Sequence, residues 1–454
     1  MFANDKMREN SGRLIKIYRE RRHQRSKDKQ FSCNEFILAT KEHPFYEIIE
    51  GAPVCSRATL NRLERGQSIK DDDLYIFFIQ KLGFQVDDFP GIMSNVERIS
   101  EELYTAVEMY DVDRISSLKK QIDIIFEKAR YYFYYKEVYT ALVVITNYYL
   151  DAKYPSNEEA DKLYLTCFIL NKKVDELLSN ILFDHYYYKV MNMVLAEKLY
   201  NKLTQFNNGS RLSTLFIAGW LMYKERWFAA LNEVKDGINY FKEKKVNYHL
   251  GVLYFTQAMA LHTGNKEDVQ PFFDYSINCL ENSRGNLAHI KLVNNYFNIG
   301  FQYYFDKKYT IAGIYFNKFL DNNPPFTIHM LYVLNCAELL NDQNLLSKLA
   351  VVNFVEEKNC SLIRTFYNYF RMKLMKVSEK ELENYIIHNI FEVLLKEYRS
   401  DNLINFFKNE LMSMVKITKH YKVTTLLDNF TSHKIDLNVM FCDINYWTRL
   451  FVSI

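Results

Sequence analysis

Few residues in this sequence interrupt a helix. Glycine occurs only 13 times and proline only 7 times in 454 residues, so strong helix breakers are rare. In the long segments between them, apolar residues recur at intervals of three and four, which is the helical period. The pattern favours helices over sheets, and it predicts an all-α protein that is long enough for more than one domain.

Long apolar runs and paired cysteines are also absent. No run of about 18 or more apolar residues occurs, and the N-terminus is charged without an apolar signal region. The seven cysteines are dispersed, without a Cys-x-x-Cys pair or matching histidines, which argues for reduced thiols and against a structural zinc site. We therefore expect a cytoplasmic protein that has no membrane partner and binds no metal.

Sequence motifs that would indicate catalysis are missing as well. The sequence contains no His-Glu-x-x-His, no Gly-x-Ser-x-Gly and no phosphate-binding Walker loop. Lone histidines such as His185, His262 and His329 have no carboxylate or cysteine partner at a spacing that would form a ligand set. We expect neither enzymatic activity nor a cofactor.

One short segment, VCSRATLNRLERG at residues 54–66, has a sequence pattern that indicates a particular structure. Ser56 is a good helix N-cap, and Gly66 stands where a helix ends in a left-handed residue. Ala58, Leu60 and Leu63 form a short apolar pattern that suits packing on a neighbouring helix. These features predict a short amphipathic helix.

The other faces of this helix carry polar and basic side chains. Arginine and asparagine can hydrogen-bond a base edge in two places at once, and arginine also pairs with phosphate. We interpret the segment as the recognition helix of a helix-turn-helix, whose N-terminal end enters the major groove of DNA. The predicted DNA-binding residues are Ser56, Arg57, Thr59, Asn61, Arg62 and Arg65. The alternative is that these side chains form an ordinary solvated face.

The flanking sequence supports this interpretation. Residues 12–22 form an amphipathic first helix, and Ser32 and Glu35 have the spacing of a capping box that opens a second helix with core residues 36–38. Three acids at 71–73 mark the start of a further helix. Four short helices are enough for a small domain.

Positive charge is concentrated at the N-terminus. Residues 1–30 contain ten Lys or Arg and four Asp or Glu, a net charge of +6, whereas the whole chain carries only +3. A local basic surface on a nearly neutral protein is what phosphate contact requires. This bias favours the DNA-binding interpretation over the solvated face.

The segment resembles the Xre-type helix-turn-helix family, whose signature ends in a Ser-x-x-Thr-x-x-Arg-Ile-Glu-x-Gly-like run. The matching residues here are Ser56, Thr59, Arg62, Leu63, Glu64 and Gly66. The resemblance covers roughly residues 10–85. The family joins its two motif helices by a short turn, whereas here residues 41–55 intervene, with loop signals at Pro44 and Pro53. An extra helical turn inserted there could be tolerated.

After about residue 88 the sequence changes character, because the basic excess ends and Tyr and Phe become dense. Between 211 and 325 it matches the tetratricopeptide pattern of helical hairpins. The matching residues of the best copy are Tyr296, Ile299, Gly300, Tyr303, Ala312, Phe316, Phe319 and Pro324. Gly300 and Ala312 would let the two helices touch. The predicted organisation is a helix-turn-helix domain at 1–87 and an α-solenoid of tetratricopeptide-like hairpins at 88–454, with capping or dimerisation helices at 366–454.

Stacked hairpins form an extended concave surface from the inner helix of each hairpin. An asparagine amide can both donate to and accept from an extended peptide backbone, while aromatic residues bury the side chains of the peptide. In the tetratricopeptide register the predicted peptide-binding residues are Asn294, Phe297, Asn298, Phe301, Tyr304, Phe255, Met259, His262, Met222 and Tyr223. The alternative for each aromatic residue is packing between helices.

A helix-turn-helix followed by such an array resembles the peptide-pheromone-responsive regulators of Gram-positive bacteria, the Rgg, PlcR and PrgX type. The resemblance implies a cytoplasmic homodimer whose repeat array binds a short signalling peptide and thereby alters binding to a double-stranded DNA operator. A second hypothesis is a regulator or scaffold whose array binds a protein partner, with DNA binding constitutive or absent.

Overall fold

We describe the protein from a computed structural model. It describes residues 4–39, 51–87, 89, 91–206, 211–265, 268–355, 361–396 and 401–419. These residues form an all-α fold, which confirms the prediction of an all-α protein. Within them, the only extended pairing is an isolated antiparallel bridge between Leu38 and Pro53. No helix in this part of the chain is long and apolar enough to cross a membrane.

The chain divides into two compact units, which are residues 1–217 with 285–287 and residues 218–284 with 288–454. The boundary predicted at residue 87 falls inside the first unit. The first unit contains α1 (Asp5–Ser26), α2 (Cys33–Phe36), α3 (Arg57–Glu64), α4 (Asp72–Lys81), α5 (Ile92–Glu108), α6 (Val112–Ile125), α7 (Tyr135–Asp151), α8 (Asn157–Thr166), α9 (Lys172–Asp184) and α10 (Met193–Phe206).

The unit boundary falls within α11 (Thr214–Tyr223). The second unit continues with α12 (Trp227–Lys244), α13 (Asn247–Asn265), α14 (Gln270–Glu281), α15 (Asn286–Phe305), α16 (Tyr309–Leu320), α17 (Met330–Leu340), α18 (Gln343–Ala350), α19 (Ser361–Leu374), α20 (Glu379–Tyr385), α21 (Phe391–Lys396) and α22 (Asp401–Thr418). Short π-helical segments follow α9 (His185–Val190) and α20 (Ile386–Ile390).

Helices α1 to α4 pack around a small core. Leu14 and Ile15 of α1 are fully buried, as is Phe78 of α4, whose ring stacks on Phe36 at a centroid distance of 5.0 Å. The Asp71 side chain caps α4 by accepting a hydrogen bond from the Leu74 amide, as expected for an acidic helix start.

The predicted second helix is much shorter than expected, because only Cys33–Phe36 is helical. The chain then becomes extended, and it pairs with the strand-like segment that leads back to α3. The Ala39 amide donates to the Ala52 carbonyl at 2.8 Å, and the Val54 amide donates to the Ile37 carbonyl at 2.9 Å. Residues 37–39 and 51–54 thus form a short paired segment. The remainder of the predicted extra turn, 40–50, lies outside the described residues.

In the second unit, several helices that follow one another in the sequence pack together, among them α12 with α13 and α13 with α14. Gly300 of α15 lies directly against α16, where a Cβ atom on Gly300 would stand 2.7 Å from Cδ1 of Phe316 and 3.2 Å from the Ala312 carbonyl oxygen. This close approach confirms the predicted reason for a glycine at position 300. Helix α15 also runs beside α17, because Phe301 packs on Tyr332 and the Tyr304 hydroxyl donates to Asn335.

The amphipathic C-terminal segment faces its own unit. Apolar residues of α20, the following π-helical segment and α21 join the core of the second unit; they are Leu382, Ile386, Ile390, Phe391 and Leu394. These side chains are therefore unavailable for a dimer contact. Residues 420–454 of the predicted capping or dimerisation region lie outside the described residues.

Candidate nucleic-acid interface and ligand groove

Helix α3 has the ends that its sequence predicts. Ser56 is the N-cap, and its hydroxyl accepts from the Thr59 amide at 3.1 Å and contacts the Thr59 hydroxyl at 2.9 Å. Gly66 follows the helix with φ +77°, and its amide donates to the Leu63 carbonyl at 2.9 Å. Both ends are therefore satisfied by local contacts, which fix the start and the length of α3.

The exposed side of α3 carries the predicted base-reading side chains. Arg57, Asn61 and Arg65 follow one another at intervals of four, so they form one stripe along the helix, and all three are exposed. Arg62 is also exposed, and its Nε donates to Gln67 at 3.1 Å. Within the described part of the chain, no side chain bonds or pairs with those of Arg57, Asn61 and Arg65. Their hydrogen-bonding groups are thus available to a partner.

The buried side of α3 differs from the prediction at one position. Leu60 and Leu63 are fully buried, but Ala58 is exposed, so the expectation that Ala58 packs on a neighbouring helix is wrong. The third buried residue of α3 is instead Glu64, which follows Leu63 and contacts Arg19 of α1.

Glu64 forms a buried ion pair with Arg19 of α1. Nε of Arg19 lies 2.5 Å from Oε1 of Glu64, and Nη2 lies 2.8 Å from Oε2. Nη1 of Arg19 donates to the Phe31 carbonyl at 3.1 Å. Burial disfavours the charge of Arg19, but the hydrogen bond and charge of Glu64 outweigh it and raise the pKa of Arg19. The two-point contact holds α3 in a fixed orientation on α1.

The N-terminal basic segment is not the free positive surface that its charge predicts. Arg19 is buried, Nε of Arg8 pairs with Asp72 at 2.8 Å, and Nη2 of Arg25 pairs with Glu158 at 2.6 Å. The acids that neutralise these arginines lie far along the chain, outside the counted segment. The net charge of +6 for residues 1–30 is therefore larger than the unpaired positive charge that this segment can present to DNA phosphates.

The predicted groove residues on α15 differ in accessibility. Phe297 is fully buried and packs between Phe301, Phe316 and Phe319. Its ring belongs to the core, so we leave Phe297 out of the candidate groove. Phe301 is nearly buried too and forms a cluster with Phe305, which remains 44% exposed.

Asparagines on α15 present buried amides. Asn294, Asn295 and Asn298 are all more than nine-tenths buried. Nδ2 of Asn295 donates to the Ser276 hydroxyl at 2.9 Å. By contrast, Nδ2 of Asn298 has no hydrogen-bond acceptor among the residues that the structure describes. A buried donor without an acceptor is costly. Asn298 is therefore a candidate to donate a hydrogen bond to a ligand carbonyl.

Tyr304 belongs to a polar network that the sequence pattern did not indicate. Its hydroxyl donates to Asn335 at 2.7 Å, and Nδ2 of Asn335 reaches Glu410 at 3.4 Å. Glu410 also accepts from the Tyr369 hydroxyl and from Nζ of Lys373, each at 2.7 Å. These residues are separated by 31 to 75 positions in the sequence, so no local spacing reveals them.

The remaining predicted groove residues lie on α11 and α13. Phe255, Met222 and Tyr223 are half-buried, and Met259 is buried. His262 is half-buried, contacts Gln302, and lies 3.5 Å from Oδ1 of Asp306. The structure thus brings His262 of α13 and the C-terminal end of α15 together.

Comparison with known proteins finds no family model, no curated protein and no solved structure that matches this chain.

Proposed function

We propose that the protein is a DNA-binding transcription regulator whose helices α1 to α4 form a helix-turn-helix domain. One observation carries the proposal. Arg57, Asn61 and Arg65 form an exposed stripe on α3, and the opposite side of this helix is buried against α1. Side chains of this kind read base edges in the major groove. The proposed partner is a double-stranded DNA operator, and pairing of two half-sites makes a homodimer the expected form.

Replacing Arg57 by Ala tests this proposal. We expect binding to labelled duplex DNA from the upstream region of its own gene to weaken by about 1–3 kcal/mol, because a two-point base contact is lost. Fluorescence anisotropy at fixed salt measures the change.

Arg284→Ala is the matched control, since Arg284 is exposed, lies in the second unit and carries the same charge. Equal weakening in both variants, or no change in Arg57→Ala, would show that Arg57 makes no base contact.

For the second unit we propose a tetratricopeptide-like array that binds a short peptide along α11, α13 and α15. Two features support a peptide ligand. Asn298 offers a buried donor without an acceptor among the described residues, and the aromatic cluster of Phe301 and Phe305 lies one turn further along α15. Peptide recognition combines backbone hydrogen bonds with apolar contacts for alternate side chains. Binding of the peptide would then regulate the DNA-binding domain.

Two neighbouring asparagines provide a matched test of the groove. Asn298→Ala should reduce retention of peptides from a pool of random synthetic octapeptides on the immobilised protein, measured by mass spectrometry. Its melting temperature should not fall, because the variant removes a donor that is unsatisfied in the free protein. Asn295→Ala should behave in the opposite way, because it removes the hydrogen bond to Ser276. A lower melting temperature for Asn298→Ala with full peptide retention would assign Asn298 a structural role.

A different observation favours the second candidate, an array that binds a protein partner. Large apolar side chains are exposed on the second helices of successive hairpins; they are Phe228 on α12, Tyr275 on α14, and Ile311 and Ile314 on α16. Exposed apolar side chains that form a contiguous patch mark protein interaction sites. If octapeptides are not retained, this surface becomes the preferred binding site of the array.

A further inference from the structure

The first unit contains a cavity that the proposed DNA and peptide sites do not use. Its volume is about 290 Å³, and it lies between α1, α5, α7 and the segment that leads into α9. The lining is mainly apolar and includes Met7, Val96, Leu142, Phe168, Leu170 and Val174. Two charged residues, Lys6 and Glu97, also line it, and both are exposed to solvent. A cavity of this size approaches the range of small-molecule sites.

One buried polar atom in this cavity has no hydrogen-bond partner among the residues that the structure describes. Asn10 of α1 is 2% exposed, and its Oδ1 accepts no hydrogen bond from any residue that the structure describes. Three other polar residues of the lining make hydrogen bonds within the protein. Asn4 accepts from the Met7 amide, Ser100 donates to the Val96 carbonyl, and Asn171 accepts from the Val174 amide. Asn10 Oδ1 is thus an acceptor held in an apolar cavity.

A second residue of the cavity lining has a strained backbone. Tyr134 lines the cavity with φ +71° and ψ −57°, and the Tyr135 amide donates to the Phe133 carbonyl at 2.9 Å across it. These values describe a classic γ-turn, which is rare because it strains an L-residue. Strained residues that the surrounding structure holds in place cluster at ligand sites.

Asn10 and Tyr134 both line the cavity. Burial raises the pKa of the Tyr134 hydroxyl, and the Asn10 side chain opposes this rise. Oδ1 of Asn10 has no hydrogen-bond partner among the described residues, so it can accept a hydrogen bond from a ligand.

We infer that this cavity binds a small neutral molecule of one or two rings that carries a single N–H or O–H donor. The apolar walls would bury the rings, and Asn10 Oδ1 would accept the donor hydrogen. An engineered apolar cavity of about 150 Å³ binds benzene, so the larger cavity here suits a bicyclic molecule. Helix α1 also carries Gly12, which contacts Leu63 of α3. The cavity and α3 therefore share one supporting helix.

Indole and 1-methylindole test the inference, because they share the bicyclic ring and only indole has an N–H donor. In calorimetric titrations of the full chain we expect indole to bind about tenfold more tightly. Asn10→Leu should lower indole affinity to that of 1-methylindole. Val96→Phe, which fills the cavity, should abolish binding of both.

Asn180→Leu is the matched control, because Asn180 is equally buried in the same unit, has an unpartnered amide among the described residues, and does not line the cavity. It should leave both affinities unchanged. Equal affinities of the two compounds for the unmodified protein, or a preference for indole that survives in Asn10→Leu, would overturn the inference. The titrations contain no DNA, so loss of the proposed function would leave their result intact.

Discussion

Replacing Arg19 by Met should lower the free energy of unfolding by about 3–5 kcal/mol, because it leaves the Glu64 carboxylate buried without its partner. The side chains of Arg19 and Glu64 are only 6% and 4% exposed, and they make a two-point contact. Methionine occupies a similar volume, so the loss reflects charge and hydrogen bonding rather than a cavity. Urea unfolding followed by circular dichroism measures the change.

The double variant Arg19→Met with Glu64→Leu distinguishes two contributions to stability. One is the free-energy cost of a buried carboxylate without a partner, and the other is the stabilisation that the ion pair itself provides. A well-packed apolar pair often replaces a buried ion pair at little cost. We therefore expect the double variant to recover most of the stability that the single variant loses. Additive losses from the two single substitutions would mean that Arg19 and Glu64 act independently, and the pair would not be the link between α1 and α3.

Gly12→Ala should have the second-largest effect. A Cβ atom at Gly12 would run directly into the carbonyl oxygen of Leu63, with the carbonyl carbon at 3.0 Å. A backbone atom cannot rotate away, so α1 and α3 must separate. We expect a loss of about 3 kcal/mol in unfolding free energy, the upper end of typical overpacking costs, together with at least tenfold weaker DNA binding as the stripe on α3 shifts.

Gly313→Ala is the control for this prediction. There the added Cβ would meet Cδ1 of Leu340 at 2.9 Å, and the end of a leucine side chain can move. The helix-propensity gain of about 1 kcal/mol for alanine over glycine offsets that movement. Stability of Gly313→Ala should therefore stay within about 1 kcal/mol of the unmodified protein. Equal stability losses at Gly12 and Gly313 would show that the contact with Leu63 has no special role.

Features with local causes could be predicted from the sequence. The start of α3 at Ser56 and its end before Gly66 depend on contacts within a few residues, and both match the structure. Gly300 was identified because a close helix contact requires a small residue at a fixed distance from Ala312. In each case the physical reason acts within one helix or one hairpin.

Features that depend on distant residues could not be predicted in the same way. Arg19 looked like part of a basic surface, since its partner Glu64 lies 45 residues away. Ser32 caps the start of α2 as its sequence predicts, but the helix ends early, where the Ile37 carbonyl accepts from the Val54 amide. The network that joins Tyr304 to Glu410 likewise involves helices far apart in sequence, and it has no spacing signature.

Selection from a pool of random duplex DNA tests the central claim most directly. If α3 reads bases, the full chain should enrich a short motif that recurs as two half-sites about one helical turn apart. Arg57→Ala should then lose sequence preference at one position of each half-site, while Arg284→Ala should enrich the unchanged motif. Failure to enrich any motif, or full retention of the motif by Arg57→Ala, would contradict the assignment of α3 as a recognition helix.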